Sequence, residues 1–178
     1  FEGFREFIAK SSETRVFALL HISFAGIYAF SRDVMVGESG DLRLLDPMAC
    51  AKVAMANTDL IRGIKVRIGA KASGYNGRLP LDLALEAADI AQMPLMCHID
   101  MPPPTIEEVL DKLRPGDVLT HAFRPQPNSP LNGAGQIKDA VLADQASGGI
   151  AAQQALVIAT PPAPSAGGFF VMEETQCP

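Results

Sequence analysis

The stretch that organises this sequence is MPLMCHID, residues 93–100, an apolar run that ends in a histidine and is followed by three prolines. A short apolar run bounded by turn residues predicts a buried strand of a parallel sheet. In βα-repeat proteins the C-terminal ends of such strands face the ligand-binding side of the sheet. His98 is therefore placed for catalysis or metal binding, although a single histidine at a strand end is more often structural.

The preceding part of the chain predicts a βαβ unit that leads into this strand. IRGIKVRIG, residues 61–69, predicts another buried strand, and the alanine-rich run 81–91 predicts the crossover helix. Lys65 lies between Ile64 and Val66 in the middle of that apolar strand. Because an unpaired buried ammonium is costly, this lysine must either reach outward or meet a partner inside.

The segment after His98 repeats the pattern. TIEE, residues 105–108, is a capping box that starts a helix over 106–113. DVLTH, residues 117–121, then predicts a short strand that also ends in a histidine. Because βα elements alternate, we expect Lys65, His98 and His121 to lie together at the C-terminal ends of the parallel strands.

The two ends of the chain carry less information. Phe4, Phe7 and Ile8 predict a helical stripe, and residues 15–22 predict a strand whose His21 stands alone, so a structural or supporting role is expected for it. Asp46-Pro47 predicts the start of a helix that runs to about residue 57. From Ala146 onward Ala, Gly, Pro, Gln and Ser dominate, with one further strand predicted at 154–160.

Composition excludes several classes of protein. The chain of 178 residues can form one domain with a core, but an eight-stranded α/β barrel typically needs about 250. With 48% hydrophobic residues, 20% charged residues and a net charge of −5, nothing predicts a nucleic-acid or disordered protein. Three scattered cysteines predict a reducing cytoplasm. No signal peptide or membrane span is predicted.

Two histidines and a lysine on neighbouring strands suggest a specific chemistry. A lysine ammonium does not bind metal, but a lysine that has reacted with carbon dioxide is a carbamate whose oxygens can bridge two divalent metals. Such a centre suits hydrolysis of amides, esters or cyclic ureides. The alternative is an ordinary βα domain with an outward-reaching lysine and two structural imidazoles.

Three segments carry a resemblance to a known family: DLIRGIKVR at 59–67, PLMCHID at 94–100 and RPGDVLTHAF at 114–123. In this order they resemble the amidohydrolase superfamily, in particular its deacetylase and dihydroorotase-like metallohydrolases, often described as D-aminoacylase-like. The likeness covers roughly residues 16–143. It implies a TIM barrel with a binuclear centre, usually zinc, in which Lys65 is the carboxylated bridging lysine and His98 and His121 are ligands. Arg67 would point the same way as Lys65 and hold an anionic group of the substrate.

The chain also departs from the family pattern. It has no His-x-His motif, which supplies metal ligands on the first strand of the family, and no Asp after Asp144 to act as ligand and general base. The expectation is an α/β fold over residues 1–145, a partial TIM barrel that holds about strands 3 to 6. Residues 146–178 would form an atypical tail, disordered or out of frame.

The expected function is a metal-dependent hydrolase that cleaves an acyl amide or ester of a small acid through a metal-bridging hydroxide. With ligands missing, the chain alone is expected to be weakly active or inactive. The alternative is a non-catalytic βα scaffold or assembly module that forms homo-oligomers through its exposed strand edges. A flavodoxin-like open sheet is a weaker alternative, because no phosphate-binding glycine loop opens a helix.

Overall fold

A parallel β-sheet forms the centre of the fold. The computed structural model describes residues 1–26, 37–121, 124–148, 150–152 and 170–171. Within these residues the sheet has the strand order β5-β4-β3-β2-β1-β6, and every pairing is parallel. The strands are β1 (Val16–His21), β2 (Ile61–Ile68), β3 (Leu95–Ile99), β4 (Val118–Thr120), β5 (Ile150–Ala152) and β6 (Phe170–Val171).

Helices connect the strands in the order that the sequence predicts. A short α1 (Glu2–Phe4) continues into a π-helical turn (Arg5–Ala9), and a 3₁₀ turn (Leu42–Leu44) precedes α2. The other helices are α2 (Pro47–Met55), α3 (Ala70–Ser73), α4 (Leu79–Ala91), α5 (Ile106–Leu110) and α6 (Asp139–Ser147). No helix of the described residues is long and apolar enough to cross a membrane. The predicted α/β class is confirmed.

The two faces of the sheet differ sharply in polarity. Side chains alternate along a strand, so every second residue faces the helices. That face carries apolar residues that are at most 1% exposed and that pack with α2, α4 and α5: Ile64, Val66, Ile68, Leu95, Cys97, Ile99 and Leu119. The opposite face carries Lys65 and Arg67, which are 5% and 8% exposed. The sequences of these strands are largely apolar because both faces of the sheet are buried, including the face that carries Lys65 and Arg67.

The turn before α5 confirms the predicted capping box. The Thr105 hydroxyl accepts a hydrogen bond from the Glu108 N–H, and the Glu108 carboxylate accepts from the Thr105 N–H at 2.8 Å. Helix α5 has only five residues, so its first turn depends on these two bonds. The cap therefore fixes the direction in which the chain leaves the end of β3.

Substitution of Thr105 by alanine is expected to lower the free energy of unfolding by about 1 kcal/mol, because the Glu108 N–H of the first turn loses its side-chain acceptor. Urea unfolding followed by circular dichroism measures this change. Thr105→Ser keeps the hydroxyl and serves as the control. Equal losses in the two variants would contradict the capping role.

The C-terminal tail is only partly described. Helix α6 extends into it as far as Ser147, and the two short strands β5 and β6 belong to it. The strand predicted at 154–160 lies outside the described residues. Strand β5 pairs with β4, whereas β6 pairs with β1 at the other edge of the sheet.

Candidate metal centre

The register of the parallel strands places the predicted site residues in two neighbouring rows. His21 of β1 lies beside Lys65 of β2. One step further along the same face, Arg67 of β2 lies beside His98 of β3, and His98 lies beside Thr120 of β4. Residues in register on adjacent parallel strands project from the same face. The polar face therefore gathers side chains from four consecutive strands near their C-terminal ends.

His98 and His121 come into direct contact at this end of the sheet. Their ring centroids are 4.6 Å apart and the rings are nearly perpendicular, at 76°. His121 follows β4 directly and has a φ of +59°, a left-handed conformation that is uncommon for a residue with a side chain. Such backbone conformations cluster at functional sites. The structure thus brings together two imidazoles that the sequence places on different strands.

Burial keeps the imidazole of His98 uncharged. Its pKa is lowered to about 2, first by desolvation and then by the positive charges of Arg67, Lys65 and Arg124 and by His121. A neutral imidazole has a nitrogen lone pair, which is the form that binds metals. His98 therefore has the protonation state of a ligand at neutral pH.

Glu38 is a buried member of the site that reasoning from the sequence did not identify. Its side chain is 1% exposed, and its Oε1 lies 3.4 Å from Arg67 Nε and 3.7 Å from His21 Nε2. Burial raises the pKa of Glu38, whereas the Arg67 charge opposes that shift. Glu38 belongs to a loop rich in Gly, Ser and Asp, a composition that is typical of exposed loops. Only packing against residues far away in sequence directs its side chain into the site.

His21 has a different role from the other two histidines. Its Nδ1 accepts a hydrogen bond from the Ser23 N–H at 3.0 Å, so in the neutral ring Nε2 carries the proton and faces Glu38. Desolvation lowers the pKa of His21 to about 3, and the charges of Lys65 and Arg67 lower it further. His21 thus points an N–H toward Glu38 at a distance too long for a hydrogen bond, and its protonated nitrogen has no lone pair with which to bind metal.

The neutral state of His21 predicts a pH-dependent stability. The unfolded imidazole takes up a proton near pH 6.5, whereas the folded one remains neutral down to about pH 3. The unfolded state therefore binds more protons in this window, and the His21 contribution to stability decreases as the pH falls. The variant His21→Asn keeps an acceptor for the Ser23 N–H but has no group that titrates. The difference in the free energy of unfolding between the wild type and this variant should therefore change by about 1.4 kcal/mol per pH unit. Urea unfolding between pH 7 and pH 4.5 measures it, and a constant difference would contradict the assignment.

Comparison with known proteins finds relatives that share part of this chain. The chain is 37% identical over 131 residues to a protein from Brucella anthropi named "Deacetylase", which covers 74% of this chain and 32% of the relative. A "Deacetylase" from Enterococcus faecalis is 37% identical over 142 residues, 78% of this chain and 37% of the relative. The chain thus spans about a third of the length of these curated relatives. No protein-family model matches it.

Two solved structures share the fold. A crystal structure of a dihydroorotase superposes with a TM-score of 0.74 at 33% identity and covers 85% of this chain and 41% of that one. An adenine deaminase superposes with a TM-score of 0.73 at 32% identity, over 84% of this chain and 40% of that one. This chain belongs to the amidohydrolase superfamily. The predicted partial TIM barrel is confirmed, because the parallel sheet matches only part of each neighbour.

The residues of this amidohydrolase-superfamily chain could supply some of the ligands of a metal centre. His98 and His121 supply two imidazoles in contact. The described residues contain no group of three or more His, Cys, Asp and Glu that could hold a metal ion. Lys65 lies on the same face and can supply an oxygen donor only as a carbamate.

Proposed function

We propose that this chain is part of a metal-dependent hydrolase of the deacetylase type, which cleaves an acyl amide or ester of a small acid. The observation that carries the proposal is the edge-to-face contact of His98 and His121, 4.6 Å between centroids, beside Lys65 and Arg67 on the same buried face. Apolar interiors do not collect such groups without a ligand or a function, since their burial is costly.

Lys65, His98 and His121 would hold the metal, which we propose to be a binuclear zinc centre bridged by carboxylated Lys65. When bound, the metal acts as a Lewis acid toward the substrate carbonyl and supplies the nucleophile at neutral pH. Arg67 would bind the carboxylate of the acylated acid through its guanidinium. The apolar barrel wall behind β2 and β3 holds these groups in place and excludes water from their rear side.

The test compares this chain with a protein that spans the full length of the relatives. The full-length protein should bind two zinc ions and hydrolyse acetyl esters or amides of small acids, whereas this chain alone should bind zinc weakly and turn over little. Lys65→Ala in the full-length protein should abolish activity, and added acetate should restore part of it by replacing the carbamate oxygens. Tight binuclear zinc and full activity in this chain alone would contradict the assignment of the missing ligands.

A non-catalytic assembly module is the second candidate. It is favoured by the described sheet, in which the outermost strands β5 and β6 each pair with one neighbouring strand only. The open strand edges would then pair with a second copy. Size-exclusion chromatography with light scattering should show a zinc-independent oligomer in that case, and a monomer at every concentration would exclude it.

A further inference from the structure

The loop that carries Glu38 is fixed firmly against the end of β2. The Ser39 N–H donates to the Ala72 carbonyl at 2.9 Å, and the Asn76 side-chain amide donates to the Ser39 carbonyl at 3.1 Å. A side chain on Gly37 would have its Cβ 2.5 Å from the Ala72 oxygen, so only glycine allows this approach. The backbone on both sides of Glu38 is therefore anchored, and its carboxylate is directed inward with little freedom.

The carboxylate of Glu38 lies within ion-pair distance of two N–H groups, neither of which is in hydrogen-bonding geometry. Arg67 Nε is 3.4 Å from Oε1, and the protonated Nε2 of His21 is 3.7 Å from the same oxygen. His21 is itself held by the Ser23 N–H, which fixes the ring whose Nε2 faces the carboxylate. The ion pair of Glu38 with Arg67 is made to the Nε edge of the guanidinium.

The outer edge of the Arg67 guanidinium has no hydrogen-bond acceptor among the described residues. Its side chain is only 9% exposed, and its ion pair with Glu38 involves Nε. A guanidinium has five N–H donors. Within the described part of the chain the buried Nε has no partner in hydrogen-bonding geometry and is balanced by the ion pair with Glu38. The Nη1 and Nη2 edge has the fork geometry that binds a carboxylate through two parallel hydrogen bonds. Arg67 lies beside His98 in register, so an anion bound there would lie next to the imidazole pair.

We infer that Glu38 is a positioning residue that holds Arg67 by its Nε edge and so presents the Nη edge to the carboxylate of the substrate. This inference rests on the proposed function, in which Arg67 binds the acid part of the acylated substrate. Glu38 itself does not touch the substrate. It neutralises a buried guanidinium and fixes the plane in which that guanidinium can bind.

A matched pair of variants tests this role. Glu38→Gln and Glu38→Met are both uncharged and similar in size, but only glutamine offers an oxygen to Arg67 Nε. The affinity for N-acetylglycine, measured by NMR titration of this chain, should be at least about 5-fold higher in Glu38→Gln than in Glu38→Met. The neutral analogue N-acetylglycinamide should show no such difference. Equal affinities of the two variants for the anion would overturn the inference.

A second measurement does not depend on the folding of either variant. In the wild-type chain the Arg67 Nε–H should give an NMR signal that is protected from solvent exchange, and a rapidly exchanging signal would overturn the inference. Arg67→Met separates the two proposals. If Arg67→Met binds N-acetylglycine as well as the wild type does, or if the wild type does not bind it, the proposed role of Arg67 fails. If Arg67→Met loses binding but the Glu38 pair does not differ, only the positioning role fails.

Discussion

Replacement of Asp117 by alanine is expected to destabilise the chain by about 3–5 kcal/mol, a large part of the stability of a domain of this size. The Asp117 side chain is 1% exposed, and its oxygens accept hydrogen bonds from the Leu95 N–H at 2.7 Å and the Arg114 N–H at 2.8 Å. The Arg114 guanidinium donates two more, each at 3.0 Å. Loss of the carboxylate leaves the buried Leu95 N–H without an acceptor. It also removes two hydrogen bonds of the half-buried Arg114 guanidinium, which among the described residues keeps only Asp89 at the surface and the Met93 carbonyl.

Asp89 provides the control, because it pairs with the same arginine from the surface. Its side chain is 64% exposed, and such pairs contribute less than about 1 kcal/mol. Asp89→Asn should therefore leave the urea midpoint almost unchanged, while Asp117→Ala shifts it strongly. The chain contains no tryptophan, so far-UV circular dichroism is the suitable signal. Similar losses of stability in Asp117→Ala and Asp89→Asn would show that the burial of Asp117 does not determine how much it stabilises the fold.

The main elements of the fold could be predicted from local sequence alone. The apolar runs that end at His21, Ile68, Ile99 and Thr120 are strands, and the proline and capping signals start α2 and α5. These signals are local because hydrophobic periodicity and end caps depend on residues only a few positions apart. The sequence does not predict β5 or β6, because both lie in the tail rich in Ala, Gly and Pro and are formed by pairing with strands far away in sequence.

The candidate site could be predicted only in part. Lys65, His98 and His121 are visible in the sequence because each interrupts or ends an apolar run, and the structure places His98 and His121 in contact. Their role as metal ligands stays a prediction. Glu38 has no such signal, because its position depends on a loop that packs against Ala72, far away in sequence. The different roles of the histidines could not be predicted from the sequence either, because a hydrogen bond at Nδ1 decides which nitrogen of His21 is protonated.

The three histidines of this chain allow a direct test of the metal assignment. We expect His98→Ala and His121→Ala each to lower zinc affinity by about 100-fold or more, because each removes a nitrogen donor from the proposed site. His21→Asn should leave zinc affinity unchanged, because the protonated Nε2 of His21 faces Glu38. Competition with a chromophoric chelator measures the affinity of the chain and of each variant.

The double variant of His98 and His121 adds a second criterion. If both imidazoles bind one ion, the loss of the first weakens the site so far that removal of the second costs much less than its single effect. Two independent sites would instead give additive losses. A zinc affinity that depends on His21 as strongly as on His98 would contradict the tautomer derived from the Ser23 hydrogen bond. It would place the metal between β1 and β2 instead of between β3 and β4, where the contact of the two rings predicts it.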